Sequence, residues 1–129
     1  MRAEELKGHL DAVLLAALEG GPRHGYAVIE ALRQSTDGRL DLPTGTIYPA
    51  LRRLEQAGLI AGTWSVVGGR RRREYQLTPA GIRALSGRRA AWRDFAATVT
   101  AALESATLGN AALENAALED TACPSPNPA

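Results

Sequence analysis

The sequence predicts a mainly α-helical protein with one small β-hairpin: a winged helix-turn-helix followed by a long C-terminal helix. Three observations carry this. Short apolar stripes at three- and four-residue steps recur before residue 56, and each is closed by a glycine-containing stop. Two strand-like runs, 60–66 and 72–77, follow and are joined by Val67-Gly68-Gly69-Arg70, and a Gly-Gly pair between β-type runs signals a hairpin. From Pro79 a further apolar stripe then runs to Leu103.

The first helix is expected over 10–18, with Leu10, Leu14 and Leu18 on one stripe and Val13 and Leu15 beside it. Glu19-Gly20-Gly21-Pro22 stops it. The polar residues before it are free to fray or to cross to a partner chain. The second helix is expected over 24–35, where Tyr26, Ile29 and Leu32 can share an inward face flanked by Val28. His24 and Gly25 stand at its entry. His9 is the only other histidine and no metal-ligand spacing accompanies either, so His24 reads as a capping or packing residue and no metal or cofactor is expected.

A turn at Thr36-Asp37-Gly38 leads to the third helix. Thr44 can cap it, Ile47, Leu51 and Leu54 share its buried face, and Ala57-Gly58 ends it. Thr46, Tyr48, Arg52, Arg53 and Gln56 lie off that stripe and can face outward. Pro49 sits about a turn inside, where it removes a backbone donor. Either the first turn is irregular or the regular helix begins nearer Tyr48.

In the hairpin, alternation puts Trp64 and Val66 on one face and Thr63 and Ser65 on the other, while Tyr75 and Leu77 share a face on the return strand. Trp64 and Tyr75 are expected to pack the wing onto the helices, with residues 70–73 beyond that packing at the tip. Thr78 caps the last helix and Pro79 takes its first position. Its stripe, Ile82, Leu85, Trp92, Phe95, Ala96, Val99 and Leu103, is longer than three short helices need, and Arg88 and Arg89 keep it from being a clean heptad. A second copy of the chain is the commonest cover for such a face. Leu85, Trp92, Phe95, Ala96, Val99 and Leu103 are therefore the candidate dimer contacts.

Beyond Leu103, the duplication NAALE-NAALE spaces leucines by five residues, a step of about 140° that leaves no stripe to bury. The expected organisation is a winged helix-turn-helix over 1–78, a dimerisation helix over 79–104, and a low-complexity tail over 105–129 that is partly helical, then disordered from 121.

Composition sharpens the functional reading. The 129 residues suit one domain with a modest core, and 45% are hydrophobic. The charged start lacks a signal-peptide core, no apolar run approaches the roughly 20 residues of a membrane span, and a cytoplasmic location is expected. The single cysteine, Cys123, excludes an internal disulfide framework.

The net charge of +1 conceals segregation: residues 52–93 hold ten arginines and two glutamates, whereas residues 94–129 hold five acidic residues and no basic one. Four consecutive arginines beside a hairpin favour a polyanionic partner over a merely solvated basic face. On this reading the third helix enters a DNA major groove and the hairpin reaches the neighbouring backbone or minor groove. An enzyme is disfavoured, because no nucleophile–base pair, carboxylate pair or phosphate-binding glycine loop after a strand is visible. The alternative is a small-molecule or protein-binding module built on the same scaffold.

These motifs resemble the PadR family of bacterial transcriptional regulators: His24-Gly25-Tyr26, Gly45-Thr46-Ile47-Tyr48-Pro49-Ala50-Leu51 leading into Arg53-Leu54-Glu55, Gly58-Leu59-Ile60, Trp64, and Gly69-Arg70 leading to Glu74-Tyr75-Gln76-Leu77-Thr78 with Gly81. Together they cover about residues 9–86 and are specific. The single helix after the wing is similar to the short subgroup. The resemblance implies a homodimer that binds an inverted-repeat operator, usually as a repressor. By position, Thr44, Thr46, Tyr48 and Arg52 or Arg53 would face the major groove, and Gly69, Arg70, Arg71 and Arg72 would form the wing tip. Some members release DNA when a planar aromatic compound binds between paired tryptophans at the dimer centre. Trp92, with Phe95 nearby, falls where such a tryptophan lies, and plain dimer packing is its equal alternative. Glu74 departs from the neutral residue common there, on the outer strand face.

Overall fold

A computed structural model describes residue 6 and residues 8–119, with side chains described through residue 105. Helix α1 (Leu10–Ala17) is followed by a two-residue strand, β1 (Arg23–His24), and by α2 (Gly25–Ser35) and α3 (Thr44–Gln56). The hairpin strands β2 (Ile60–Val67) and β3 (Arg70–Leu77) come next, and α4 (Pro79–Glu119) closes the order. The chain divides into two compact units, Met1–Arg89 and Ala90–Ala129. Among the described residues no helix is long and apolar enough to cross a membrane.

In the first unit the stripes of the three short helices meet in one core. Leu14, Leu15 and Leu18, Val28, Ile29 and Leu32, and Ile47, Leu51 and Leu54 are buried there with Ile60, Tyr75 and Leu85. Each leucine-sized side chain so buried contributes ~2–3 kcal/mol before entropic costs. The inward face of α2 differs from expectation. Gly25 is buried at its start, so the four-residue steps run through Val28, Ile29 and Leu32, and Tyr26 turns outward, 61% exposed.

Helix α3 starts at Thr44, one residue too early for Thr44 to cap it. Pro43 is the cap residue, and no side chain caps the helix. The extended Pro43 instead offers its carbonyl to the N–H groups of Thr46 and Ile47 at 2.9 and 3.1 Å. The helix continues through Pro49 rather than beginning near Tyr48. Pro49 has no N–H for the Gly45 carbonyl one turn back, and the exposure of Gly45 leaves that carbonyl within reach of solvent. At the other end Gly58 takes a φ of 77°, and its N–H and that of Leu59 return to the carbonyls of Glu55 and Leu54. This is the Schellman closure that Ala57-Gly58 leads one to expect.

The sheet has the order β1-β3-β2, antiparallel throughout. The hairpin is tighter than the sequence suggests. Val67 pairs with Arg70, so only Gly68 and Gly69 form the turn, at φ 57° and 78°. Two successive positive φ values define a type I′ turn, which glycine enters without steric cost. Residues 70–73 are consequently strand residues rather than a tip. Strand β1 is an addition: Arg23 pairs with Tyr75 and His24 with Glu74 on the free edge of β3.

Thr78 does cap α4. Its Oγ1 accepts the Gly81 N–H at 3.0 Å and donates to the Gly58 carbonyl at 2.7 Å. The helix passes residue 104, the expected end of the dimerisation segment, and includes the duplicated NAALE segment. The expectations for residues 1–5 and 121–129, including Cys123, lie outside the described residues.

Candidate nucleic-acid interface

Because Ile47, Ala50, Leu51 and Leu54 turn into the core, the opposite side of α3 presents Thr44, Tyr48 and Arg52 at four-residue steps, all exposed. Thr46 is half-buried at the edge of this row. Tyr48 lies against α2. A Cβ added at Gly25 would come within 2.5 Å of its Cε1, so the ring is seated where only glycine leaves room. Arg52 and Arg53 are both exposed, but their surroundings differ. Arg53 Nη2 donates to Asp11 Oδ1 at 2.8 Å, which draws it back to α1. The Arg52 side chain makes no ion pair or hydrogen bond among the described residues.

The arginines of β3 alternate. Register opposes Arg73 to Trp64 and Arg71 to Val66, so Arg71 and Arg73 share the Trp64 face, and Arg70 and Arg72 take the other. Trp64 does not pack onto the helices. Ile60 and Tyr75 fill the sheet face next to the core, and Trp64 lies farther out, 58% exposed. The Arg71 and Arg73 guanidinium carbons stand 4.6 and 5.3 Å from its ring centroid, an arrangement that fixes cationic heads on an aromatic face. Arg73 also pairs with Glu55 and ties the wing to α3. Glu74 accepts a hydrogen bond from Ser65 Oγ at 2.8 Å on the outer face.

Arg70 flanks the Gly68-Gly69 turn, and its exposed side chain makes no ion pair or hydrogen bond among the described residues. Arg72 Nη1 approaches His24 Nε2 at 3.0 Å. His24 Nδ1 accepts the Ala27 N–H at 3.2 Å, so this histidine is the N-cap of α2. A cleft of about 430 Å³ opens between these groups, bordered by His24, Tyr26, Tyr48, Arg71 and Arg72. The sequence assigns Tyr26 to the core and His24 to a capping or packing role. Neither signals a place at this surface until β1 is seen to pair with β3. Among the described residues no group of His, Cys, Asp and Glu is placed to hold a metal ion.

In the second unit, Trp92 and Phe95 are 52% and 57% exposed with ring centroids 5.9 Å apart. Val99 and Leu103 are exposed and Ala96 is half-buried. Leu85, expected on the same stripe, belongs instead to the core of the first unit at 3% exposure and is withdrawn from any dimer surface.

The model of the transcriptional regulator PadR-like family matches residues 14–87, more than half of the chain. The chain belongs to this family. Similar proteins include a transcriptional regulator of Mycobacterium tuberculosis, 42% identical over 77 residues that cover 60% of this chain and 59% of that one. The aligned part thus spans less than two thirds of that relative. Solved structures agree on the PadR-like winged-helix fold. A PadR family regulator from Eggerthella lenta is 34% identical, with a TM-score of 0.68 over 78% of this chain and 87% of that one. A transcriptional regulator from Clostridium thermocellum is 26% identical, with a TM-score of 0.70 over 76% and 96%.

Proposed function

We propose that this PadR-like regulator is a cytoplasmic, sequence-specific repressor that binds an inverted-repeat operator in double-stranded DNA as a homodimer. The observation that carries the reading is the convergence of α3 and the wing on one solvent-facing cleft, which Tyr48, Arg71 and Arg72 all border. The row of Thr44, Tyr48 and Arg52 enters the major groove and meets base edges, with Thr46 at its margin. Arg70, Arg71 and Arg72, on the strand that leaves the tight Gly68-Gly69 turn, neutralise phosphates alongside. Arg53 contributes less, because Asp11 already offsets its charge. Exposed Trp92, Phe95, Val99 and Leu103, with Ala96, supply an apolar face for a second copy. Twofold symmetry then sets half-sites about one helical turn apart. A planar aromatic effector stacking on Trp92 and Phe95 changes the dimer and releases DNA.

Electrophoretic mobility shifts against fragments from upstream of the protein's own gene test this reading. Arg70→Ala and Arg71→Ala are expected to weaken binding and to lower the slope of log affinity against log salt by about one each. Tyr48→Ala is expected to lose sequence preference more than non-specific affinity. Unchanged binding in the arginine variants would remove the wing from the mechanism. The exposed Trp92–Phe95 pair also favours a second reading, a small-molecule-binding module. Quenching of tryptophan fluorescence by planar compounds, without binding to any duplex, would select it.

A further inference from the structure

The cleft between α2 and the wing brings two hydrogen-bond donors together at the surface. A backbone N–H only donates, so the bond from Ala27 N–H at 3.2 Å requires a lone pair on His24 Nδ1. The ring proton of that tautomer is then on Nε2. Nε2 faces Arg72 Nη1 at 3.0 Å, and a guanidinium nitrogen also only donates. Two donors thus lie side by side at the surface, where an acceptor between them, water in the free protein or an anion's oxygen, would relieve their opposition.

The end of α2 does not itself supply the site, since His24 already occupies its Ala27 N–H. What remains is a cleft of about 430 Å³, open to solvent, whose lining includes cationic Arg71 and Arg72 and the phenols of Tyr26 and Tyr48. Every one of these groups can donate a hydrogen bond. Among the described residues no carboxylate is part of the cleft's lining, although Arg73, which also lines it, is paired with Glu55.

The geometry points to a seat for one phosphodiester of the DNA backbone, with a non-bridging oxygen accepting from both His24 Nε2 and Arg72 Nη1. This rests on the DNA-binding reading and adds β1 and α2 to it as a third contact beside α3 and β3. The seat fixes register and not sequence, because a phosphate carries no base information. A phosphate in solution offers the same oxygens, so the source must be distinguished by experiment.

The first variant is His24→Ser, because serine keeps an N-cap acceptor for Ala27 while deleting the Nε2 donor. Fluorescence anisotropy with duplex DNA is expected to show binding about tenfold weaker, as loss of a hydrogen bond to a charged group implies. Its salt slope should change far less than that of an arginine variant, since the substitution removes a hydrogen-bond donor and no permanent cation. Arg72→Ala should weaken binding and also lower the slope by about one. The double variant should lose less than the product of the single losses, because both groups hold one anion.

His24→Ser that melts like the wild type and binds duplex equally well overturns the seat. In nuclear magnetic resonance, sodium phosphate at constant ionic strength should move the His24 ring and Ala27 amide signals, and added duplex should abolish that response. A phosphate response that survives saturation with duplex assigns the cleft to a free phosphoryl ligand and overturns the backbone assignment. Absence of any response to either probe overturns the seat altogether. Failure of the wild type to bind any duplex would instead defeat the DNA-binding reading, with the phosphate titration still judging the cleft.

Discussion

Arg52 and Arg53 are adjacent, identical in chemistry and both exposed, yet they should behave differently on DNA. The carboxylate of Asp11, 42 positions away in sequence, lies 2.8 Å from Arg53. Exposed pairs of this kind add little stability, but they reduce the charge left for a phosphate. Arg52→Ala is expected to lower the salt slope of DNA binding by about one, and Arg53→Ala by clearly less. Asp11→Asn should release Arg53 and tighten binding in low salt. Anisotropy titrations across a salt series check all three. Equal effects of the two alanine variants would show that the Asp11 contact does not persist. The outward placement of both arginines is legible from the helical period, whereas the distant partner is not, because periodicity carries no tertiary pairing. Glu19 and Arg89 give a second residue-scale test. Their paired bonds, 2.7 Å each, hold the Glu19 carboxyl below its ordinary value of 4.5. A lowered folded-state pKa stabilises fully above the ordinary value and loses its effect as pH falls through the lowered one. The melting difference between wild type and Arg89→Ala should therefore shrink in acid.

Among the elements, the start of α4 is the most constrained. Gly81 faces the Leu59 carbonyl so closely that a Cβ would lie 1.9 Å from its oxygen, and that same oxygen accepts the Thr78 N–H at 3.1 Å. The obstacle is backbone and cannot rotate away. Gly81→Ala must move α4 off the start of β2 and is expected to cost ~3 kcal/mol in urea denaturation. Gly87, farther along the same helix, has nothing within 4 Å of an added Cβ. Gly87→Ala should therefore stabilise by ~0.5–1 kcal/mol through helix propensity alone. If both substitutions destabilise equally, the close approach at Gly81 is not what sets the cost. The elements themselves were readable where burial imposes a period: the stripes of α1 and α3 and the hairpin follow the sequence. Strand β1 was not readable, because two residues cannot display alternation. The inward face of α2 was misjudged because Tyr26 and Val28 are both apolar enough to serve, and the buried Gly25 that decides between them carries no hydrophobic signal. The arginine run was legible as charge but not as geometry. Only the two-residue turn and its register reveal that Arg70 and Arg72 oppose Arg71 and Arg73.

At the scale of the whole molecule, charge and apolar exposure are divided along the chain. Residues 52–93 carry ten arginines, and residues 94–129 carry acidic groups alone. A polyanion attracts the first window and repels the second, so DNA association should be steered toward the winged domain. The acidic window opens with Asp94 and Phe95, and Phe95, Val99 and Leu103 recur at four-residue steps on α4, exposed by 57%, 38% and 67%. Such a row covers one helical face, and twofold pairing with its copy is the simplest burial of it. In the proposed homodimer, Val99→Glu would put a carboxylate into that face from both copies at once, and like charges would meet across the axis. It is expected to yield a monomer in sedimentation equilibrium while leaving the first unit's melting cooperative. Joining two weak half-site contacts multiplies affinity by about 10²–10⁴, so the monomer should lose operator binding by that order yet keep the weak, salt-sensitive affinity of a single domain. A Val99→Glu protein that remains dimeric and binds the operator normally would place the pairing surface elsewhere. A monomer with undiminished operator affinity would show that one winged domain suffices.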